Sequence, residues 1–376
     1  MKKKIYTALG LMSGTSMDGV DLSIIKTDGE REFTTILDDY FEFTQNLREK
    51  LINIKEKLIN PNDLEKYLDE IREIEREFTL FNSQIISKKL KDYSGDIDLV
   101  GFHGQTVFHN SDKKITKQIG DGKLLSQLTK KIVVNNFRQE DLVNGGLGAP
   151  LTPLFHDLIT RYLNKKYEIN FPMNIINIGG ITNITRIFKD SFEAFDIAPG
   201  NCLIDEWVRR NTKKKYDENG LLAKSGKVDD LILNQALDNF HISKYTKSLD
   251  TKDFDISFVK GLSLENGCAT LTEFTAHLIA NGIKSINSFK KSLSTNNLIS
   301  GGGRKNVFLI ESIDKHLTEG NSKLKNIDDY GLDGDFLESQ AFGFLAVRSF
   351  LKLPISFPYT TRCKTPTVGG IINKNF

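Results

Sequence analysis

The chain has 376 residues, 51 of them basic, 49 acidic and 39% apolar. That near-balance excludes a field able to gather nucleic acid or an anionic membrane, and the length suggests about two domains. Cys202, Cys268 and Cys363 form no Cys-x-x-Cys pair, which argues against a disulfide framework or zinc knuckle and suits a reducing, cytoplasmic setting.

The lysine-rich start, Met1 to Lys4, resembles a signal peptide. The apolar stretch behind it is short, however, and Thr7 and Gly10 interrupt it. No run approaches the ~18 apolar residues of a membrane span. Ile5–Leu11 and Val20–Ile25 read as strands flanking a polar turn, Ser13–Gly19. Residues 30–44 add a strand or two. Leu47, Leu51, Ile54 and Leu58 have helical spacing. Pro61–Asp63 breaks that pattern and offers an N-cap to a second helix, in which Ile71, Ile74, Phe78, Phe81 and Ile85 form a core-facing stripe. Ile97–Phe102 and Lys131–Val134 read as buried strands, and a helix is expected near 151–163. Residues 173–188 repeat the opening strand–glycine turn–strand arrangement, which suits two related domains. Helices follow around Leu271–Ile279 and over 335–351, with a strand at 297–300 between them. The alternation gives an α/β fold class.

Three glycine-rich turns at strand ends, 13–19, 179–183 and 301–303, jointly suggest a nucleotide held between two domains. Taken alone, the first turn reads equally well as an ordinary surface hairpin. Neither Gly-x-x-x-x-Gly-Lys-[Ser/Thr] nor a helix-opening Gly-x-Gly-x-x-Gly is present, so P-loop and Rossmann sites are unsupported. Ser13, Thr15 and Ser16 supply donors, while Asp18 and Asp21 suit a hydrated Mg²⁺. Asp196, before a Pro-Gly turn, is placed for general-base work or for turn formation. Glu338 is a second candidate carboxylate, or simply the polar face of its helix. His103, Gln105 and Thr106 form a ligand hydrogen-bonding group, or His103 is a structural histidine. Arg138 suits a carboxylate clamp, or an ion pair with the nearby Asp141. His156, His241, His277 and His316 sit in no motif.

These residues resemble the anhydro-N-acetylmuramic acid kinase family, of the hexokinase/actin/sugar-kinase superfamily. The matching segments run in the family's order. They are Gly-Leu-Met-Ser-Gly-Thr-Ser-Met-Asp-Gly-Val-Asp at 10–21, His-Gly-Gln-Thr at 103–106, Phe-Arg at 137–138 and Gly-Gly-Leu-Gly-Ala-Pro-Leu at 145–151. Asn-Ile-Gly-Gly-Ile-Thr-Asn at 177–183, Phe-Asp-Ile-Ala-Pro-Gly-Asn at 195–201, Gly-Gly-Gly-Arg-Lys-Asn at 301–306 and Glu-Ser-Gln-Ala-Phe at 338–342 complete the set.

The resemblance implies a two-domain, actin-like ATPase (ribonuclease H-like) fold with ATP and sugar in the interdomain cleft. Domain I would comprise 1–131 plus about 350–376, and domain II 132–349. Gly14, Thr15, Ser16, Met17, Asp18, Gly19, Val20 and Asp21 would form the first phosphate turn, with Asp18 reaching Mg²⁺ through water. Gly179, Gly180, Thr182 and Asn183 would form the second, and Gly301, Gly302 and Gly303 would back the adenosine. His103, Gln105, Thr106, Arg138 and Asn201 would bind sugar, and Asp196 and Glu338 would be catalytic.

The implied reaction opens the 1,6-anhydro ring of anhydro-N-acetylmuramic acid with water and phosphorylates the 6-oxygen, giving ADP, in cell-wall sugar recycling. The implied partners are sugar and ATP, with no nucleic acid or membrane; a homodimer would have the Ile71–Ile85 helix as its candidate contact. The family usually has Asp where Asn136 stands, and Thr-Gly where Ile197-Ala198 stand. A kinase for another sugar and a nucleotide-switched binding protein remain the alternatives.

Overall fold

The computed structural model describes residues 3–240, 249, 251–288, 295–317 and 324–376. The chain forms two compact units, 1–159 with 336–376, and 160–335.

In the first unit β1 (Tyr6–Ser13), β2 (Gly19–Thr27) and β3 (Phe33–Glu42) form an antiparallel meander. β4 (Leu99–Asn110) pairs parallel to β1, and β5 (Ile115–Ile119) folds back on its far end. β6 (Ile132–Asn135) pairs parallel to β4. In the second unit β7 (Met173–Ile178), β8 (Ile181–Ile187) and β9 (Phe192–Pro199) repeat the meander. There β10 (Asn296–Ser300) pairs parallel to β7, and β11 (Leu324–Asn326) parallel to β10. Back in the first unit, β12 (Ile371–Asn373) pairs antiparallel to β6. The orders β3-β2-β1-β4-β6 and β9-β8-β7-β10-β11 match, so the two related domains expected from the repeated hairpin are present as one topology used twice.

One face of the first sheet packs on helices Gln45–Lys57 and Leu68–Asp92, whose Leu51, Ile54, Ile71, Ile74 and Phe78 are buried as their spacing predicts. Asp63 does not cap the second of these helices. Its carboxylate accepts the amides of Ile59 and Asn60 behind it. Helix Leu337–Phe350 is buried almost throughout and lies directly on the strand backbones. Gly10 and Gly101 are register partners on β1 and β4. A Cβ on Gly10 would strike the Ser339 carbonyl and sit 2.6 Å from Gly343 N, and one on Gly101 would strike the Phe342 carbonyl. Only glycine admits the helix this close.

The unit boundaries differ from those expected. Residues 132–159 and 336–349 belong with the first unit, because β6 pairs with β4 and helix Leu337–Phe350 covers the first sheet. The second unit buries Ile176, Ile184, Trp207, Leu271, Ile279 and their neighbours between its sheet and helices Cys202–Asn211, Leu264–Ser288 and Val307–Leu317. Among the described residues no helix is long and apolar enough to cross a membrane.

Candidate active site

In the first unit the turn between β1 and β2 closes with Met17 N–H donating to Gly14 O at 3.3 Å. Thr15 and Ser16 are exposed, and a Cβ on Gly14 would meet nothing within 4 Å. The tip is thus open to a ligand. Met17 (φ +54°) and Val20 are core residues, at 2% and 1% exposure, so only their backbone is available to a nucleotide. Gly19 is buried against Tyr40 and Phe41. Asp18 accepts from Arg48 Nε at 3.0 Å, and Asp21 sits on β2 opposite Met12.

Gln105 lies behind the same turn. It is fully buried, its Nε2 donates to Gly14 O at 3.1 Å, and its Oε1 is 2.5 Å from Ser13 Oγ. It braces the turn from behind. Thr106 is partly exposed, its hydroxyl oxygen accepting from Gln118 Nε2 at 3.2 Å.

A second group in the same unit joins His103, Arg138 and Glu338. Arg138 follows β6 and donates from Nε to His103 Nε2 at 3.0 Å and from Nη1 to Gly148 O at 2.9 Å. His103 Nδ1 lies 2.7 Å from Gly104 O, which fixes the neutral tautomer with Nε2 unprotonated. Burial, then the adjacent Arg138 charge, hold this imidazole well below its usual range. His103 therefore aims Arg138 and is itself 3% exposed.

Asp141, a buried residue the sequence offered only as an ion-pair partner, accepts from Gly148 N–H at 2.7 Å and from Ser356 and Thr361. It thereby fixes the carbonyl that receives Arg138. Asn136 has φ +56°, a left-handed conformation that Asn and Asp share, so its replacement of the family's Asp keeps the backbone. Burial lowers Arg138 to about 10, opposed by Glu338 and Asp141.

Burial pushes the Glu338 carboxyl above the usual glutamate range, and Arg138 offsets only part of the shift. Folding therefore favours its protonated form. The stability this gives is complete below the unfolded glutamate pKa and is lost as pH rises through the raised folded value. Arg138→Met is expected to push the carboxyl midpoint higher still, followed by infrared absorbance with Glu338→Gln marking the band. An unchanged midpoint would uncouple the pair.

In the second unit Gly179 and Gly180 make the β7–β8 turn. Gly200 N–H donates to Gly180 O and Asn201 N–H to Gly179 O, both at 2.8 Å. Asn201 opens helix Cys202–Asn211 without a side-chain cap bond and stays partly exposed. Thr182 lies behind this turn. It is fully buried and its hydroxyl donates to Pro199 O at 3.2 Å, so it braces the turn. Asn183 is partly exposed and pairs across the sheet with Asp196.

The β8–β9 register shifts between Thr182 and Asn183, leaving Ile197 as the extra residue after Asp196. Such a bulge re-aims the neighbouring side chain. Ile197 and Ala198 are fully buried, and neither has a positive φ, so their replacement of Thr-Gly does not strain the strand. Asp196 is partly exposed, and Leu249 N–H donates to its Oδ2 at 2.9 Å. Gly301 has φ +77°, Gly302 is exposed with nothing within 4 Å of a Cβ, and Gly303 is pressed on Ile178.

His277 and His316 pack on each other, His316 Nε2 lies 2.8 Å from Glu273 Oε1, and His241 is outside the described residues. Among the described residues no three His, Cys, Asp or Glu side chains gather to hold a metal ion.

The family model for anhydro-N-acetylmuramic acid kinase matches residues 6–375. An anhydro-N-acetylmuramic acid kinase of Pelagibacter ubique is 53% identical, with all of both chains covered. That of Agrobacterium fabrum is 36% identical, over 98% of this chain and 99% of its own. Among solved structures, a hexokinase from Schistosoma mansoni complexed with glucose is a distant likeness at 10% identity and TM-score 0.43, over 91% of this chain and 85% of that one. A match running from β1 to the last strand, through all three glycine turns and both carboxylates, means that the chain belongs to the anhydro-N-acetylmuramic acid kinase family.

Proposed function

We propose that the protein is an ATP-dependent kinase acting on 1,6-anhydro-N-acetylmuramic acid, yielding N-acetylmuramic acid 6-phosphate and ADP in cytoplasmic recycling of cell-wall sugar. The observation that carries this reading is the Arg138 guanidinium. His103 and Gly148 hold its Nε and Nη1, leaving Nη2 with no hydrogen-bond partner among the described residues. A guanidinium nitrogen left open in this way suits a carboxylate oxygen, and the lactyl carboxylate distinguishes muramic acid from glucosamine.

In the reaction, water attacks the anomeric carbon as the C1–O6 bond breaks, and O6 bonds to the γ-phosphorus as the bond to the ADP oxygen breaks. Asp196 takes the water proton, as the base of an inverting glycosidase does. Phosphorus captures the departing oxygen, so no separate acid is required. Glu338 places sugar and water beside Arg138. The open backbone at Gly14 and at Gly179–Gly180 takes phosphate oxygens, helped by the exposed Thr15 and Ser16. A hydrated Mg²⁺ fits the donor set, because with nucleotide it needs only one or two protein carboxylates, here Asp18 and Asp21. When bound it would neutralise phosphate charge.

A coupled ADP assay tests the reading. ADP release is expected with ATP and 1,6-anhydro-N-acetylmuramic acid and little with glucose, N-acetylglucosamine or anhydro-N-acetylglucosamine. Equal release with a sugar lacking the lactyl group would remove Arg138 from specificity. ATP binding with no sugar-dependent ADP release would instead make this a nucleotide-switched binding protein.

A further inference from the structure

Three consecutive glycines carry no side chain to fix their own backbone, so the Gly301–Gly303 turn needs an outside brace. Arg304 supplies it. Its side chain is 2% exposed. Nε donates to both oxygens of Asp328 at 3.0 and 2.9 Å, Nη1 to Gly301 O at 3.1 Å and to Asp335, and Nη2 to Asp333 at 3.1 Å. The loop that bears these aspartates closes back on the turn. Gly301 N–H donates to Gly334 O at 3.1 Å, and Gly334 N–H to Asp328 at 2.9 Å. A Cβ on Gly334 would sit 2.7 Å from Arg304 Nε, so the loop backbone lies flat on the guanidinium. The result is a rigid plate whose outer surface is the open Gly302.

We infer that Arg304 is the positioning residue that holds the Gly301–Gly303 turn flat for a purine nucleoside, and so sets nucleotide affinity and not the rate of chemistry. This rests on the reading that the turn backs the adenosine. A planar fork engaging three carboxylates and a carbonyl at once cannot be replaced by the point charge of lysine.

The test uses the full chain, with ATP varied at saturating 1,6-anhydro-N-acetylmuramic acid, and calorimetric titration with ADP. Arg304→Lys is expected to raise the KM for ATP and weaken ADP about tenfold, with kcat within about twofold, the split that marks lost uniform binding. The KM for sugar should not move. Unchanged ATP KM and ADP affinity, whatever happens to the melting temperature, would reduce Arg304 to a fold brace and overturn the inference. So would a fall in kcat at constant KM. If Arg304→Lys does not fold, Asp333→Asn removes one arm of the fork and is judged by the same readouts.

Gly302→Val tests the underlying reading separately, because its Cβ meets no protein atom yet fills the surface where the purine would lie. Wild-type ADP affinity in Gly302→Val would refute the adenosine assignment itself. Loss of ADP there, with Arg304→Lys unaffected, would refute only the role of Arg304.

Discussion

Replacing Asp196 by asparagine is expected to lower kcat for anhydro-sugar phosphorylation about 10²- to 10⁴-fold, the range of a lost general base. An amide oxygen can still accept the Leu249 N–H, so β9 and its bulge should keep their shape, and the melting temperature should stay close to that of the parent. The KM values for ATP and sugar should change little, because the proton is transferred only in the transition state. The acid limb of the pH–rate profile, which reports protonation of the base, should vanish in the variant. Parental kcat in Asp196→Asn would remove this carboxylate from the chemistry.

The second large effect falls on folding. Gly10→Ala would drive a methyl into the Ser339 carbonyl and against Gly343 N, both backbone atoms of a buried helix that cannot rotate aside. Overpacking of this kind should destabilise by about 3 kcal/mol, roughly 6–12 °C in melting temperature for a unit of this size. Ser339 adjoins Glu338, so the displaced helix should also lose activity beyond what the lower stability explains. Gly14→Ala is the control, since its methyl meets no protein atom and its melting temperature should match the parent's. A parental melting temperature in Gly10→Ala would mean that the helix backbone moves away from β1 at little cost.

The elements legible in the sequence were those built on local periodicity. The apolar runs of β1, β2, β7 and β8 form strands, and the Ile71–Ile85 stripe buries Ile71, Ile74, Phe78 and Ile85 as its spacing predicts. What escaped depends on distant partners. β4 was expected to end before His103 because His-Gly-Gln-Thr is polar. The strand runs on to Asn110, since Gln105 and His103 find their hydrogen bonds at Ser13 and Arg138, 92 and 35 residues away. The same cause hid the internal hydrogen bonds of Gln105 and Thr182. The Arg304 fork joins aspartates 24 to 31 residues downstream, a spacing with no local signature. The domain boundaries moved because β6 and helix Leu337–Phe350 belong to partners far back in the chain.

That discontinuity orders the birth of the molecule. The second unit is one unbroken stretch and is complete on emerging from the ribosome, whereas the first must wait for the helix that seals its sheet. Ser23 and its hydrogen-bonding partner Ser339 are synthesised 316 residues apart. Until then the glycine-floored face of β1 and β4 is uncovered apolar surface, the kind that chaperones hold. The helix that delivers Glu338 is therefore also the last piece of the first unit's core, so a nascent chain stopped short of it lacks that carboxylate and a finished fold alike.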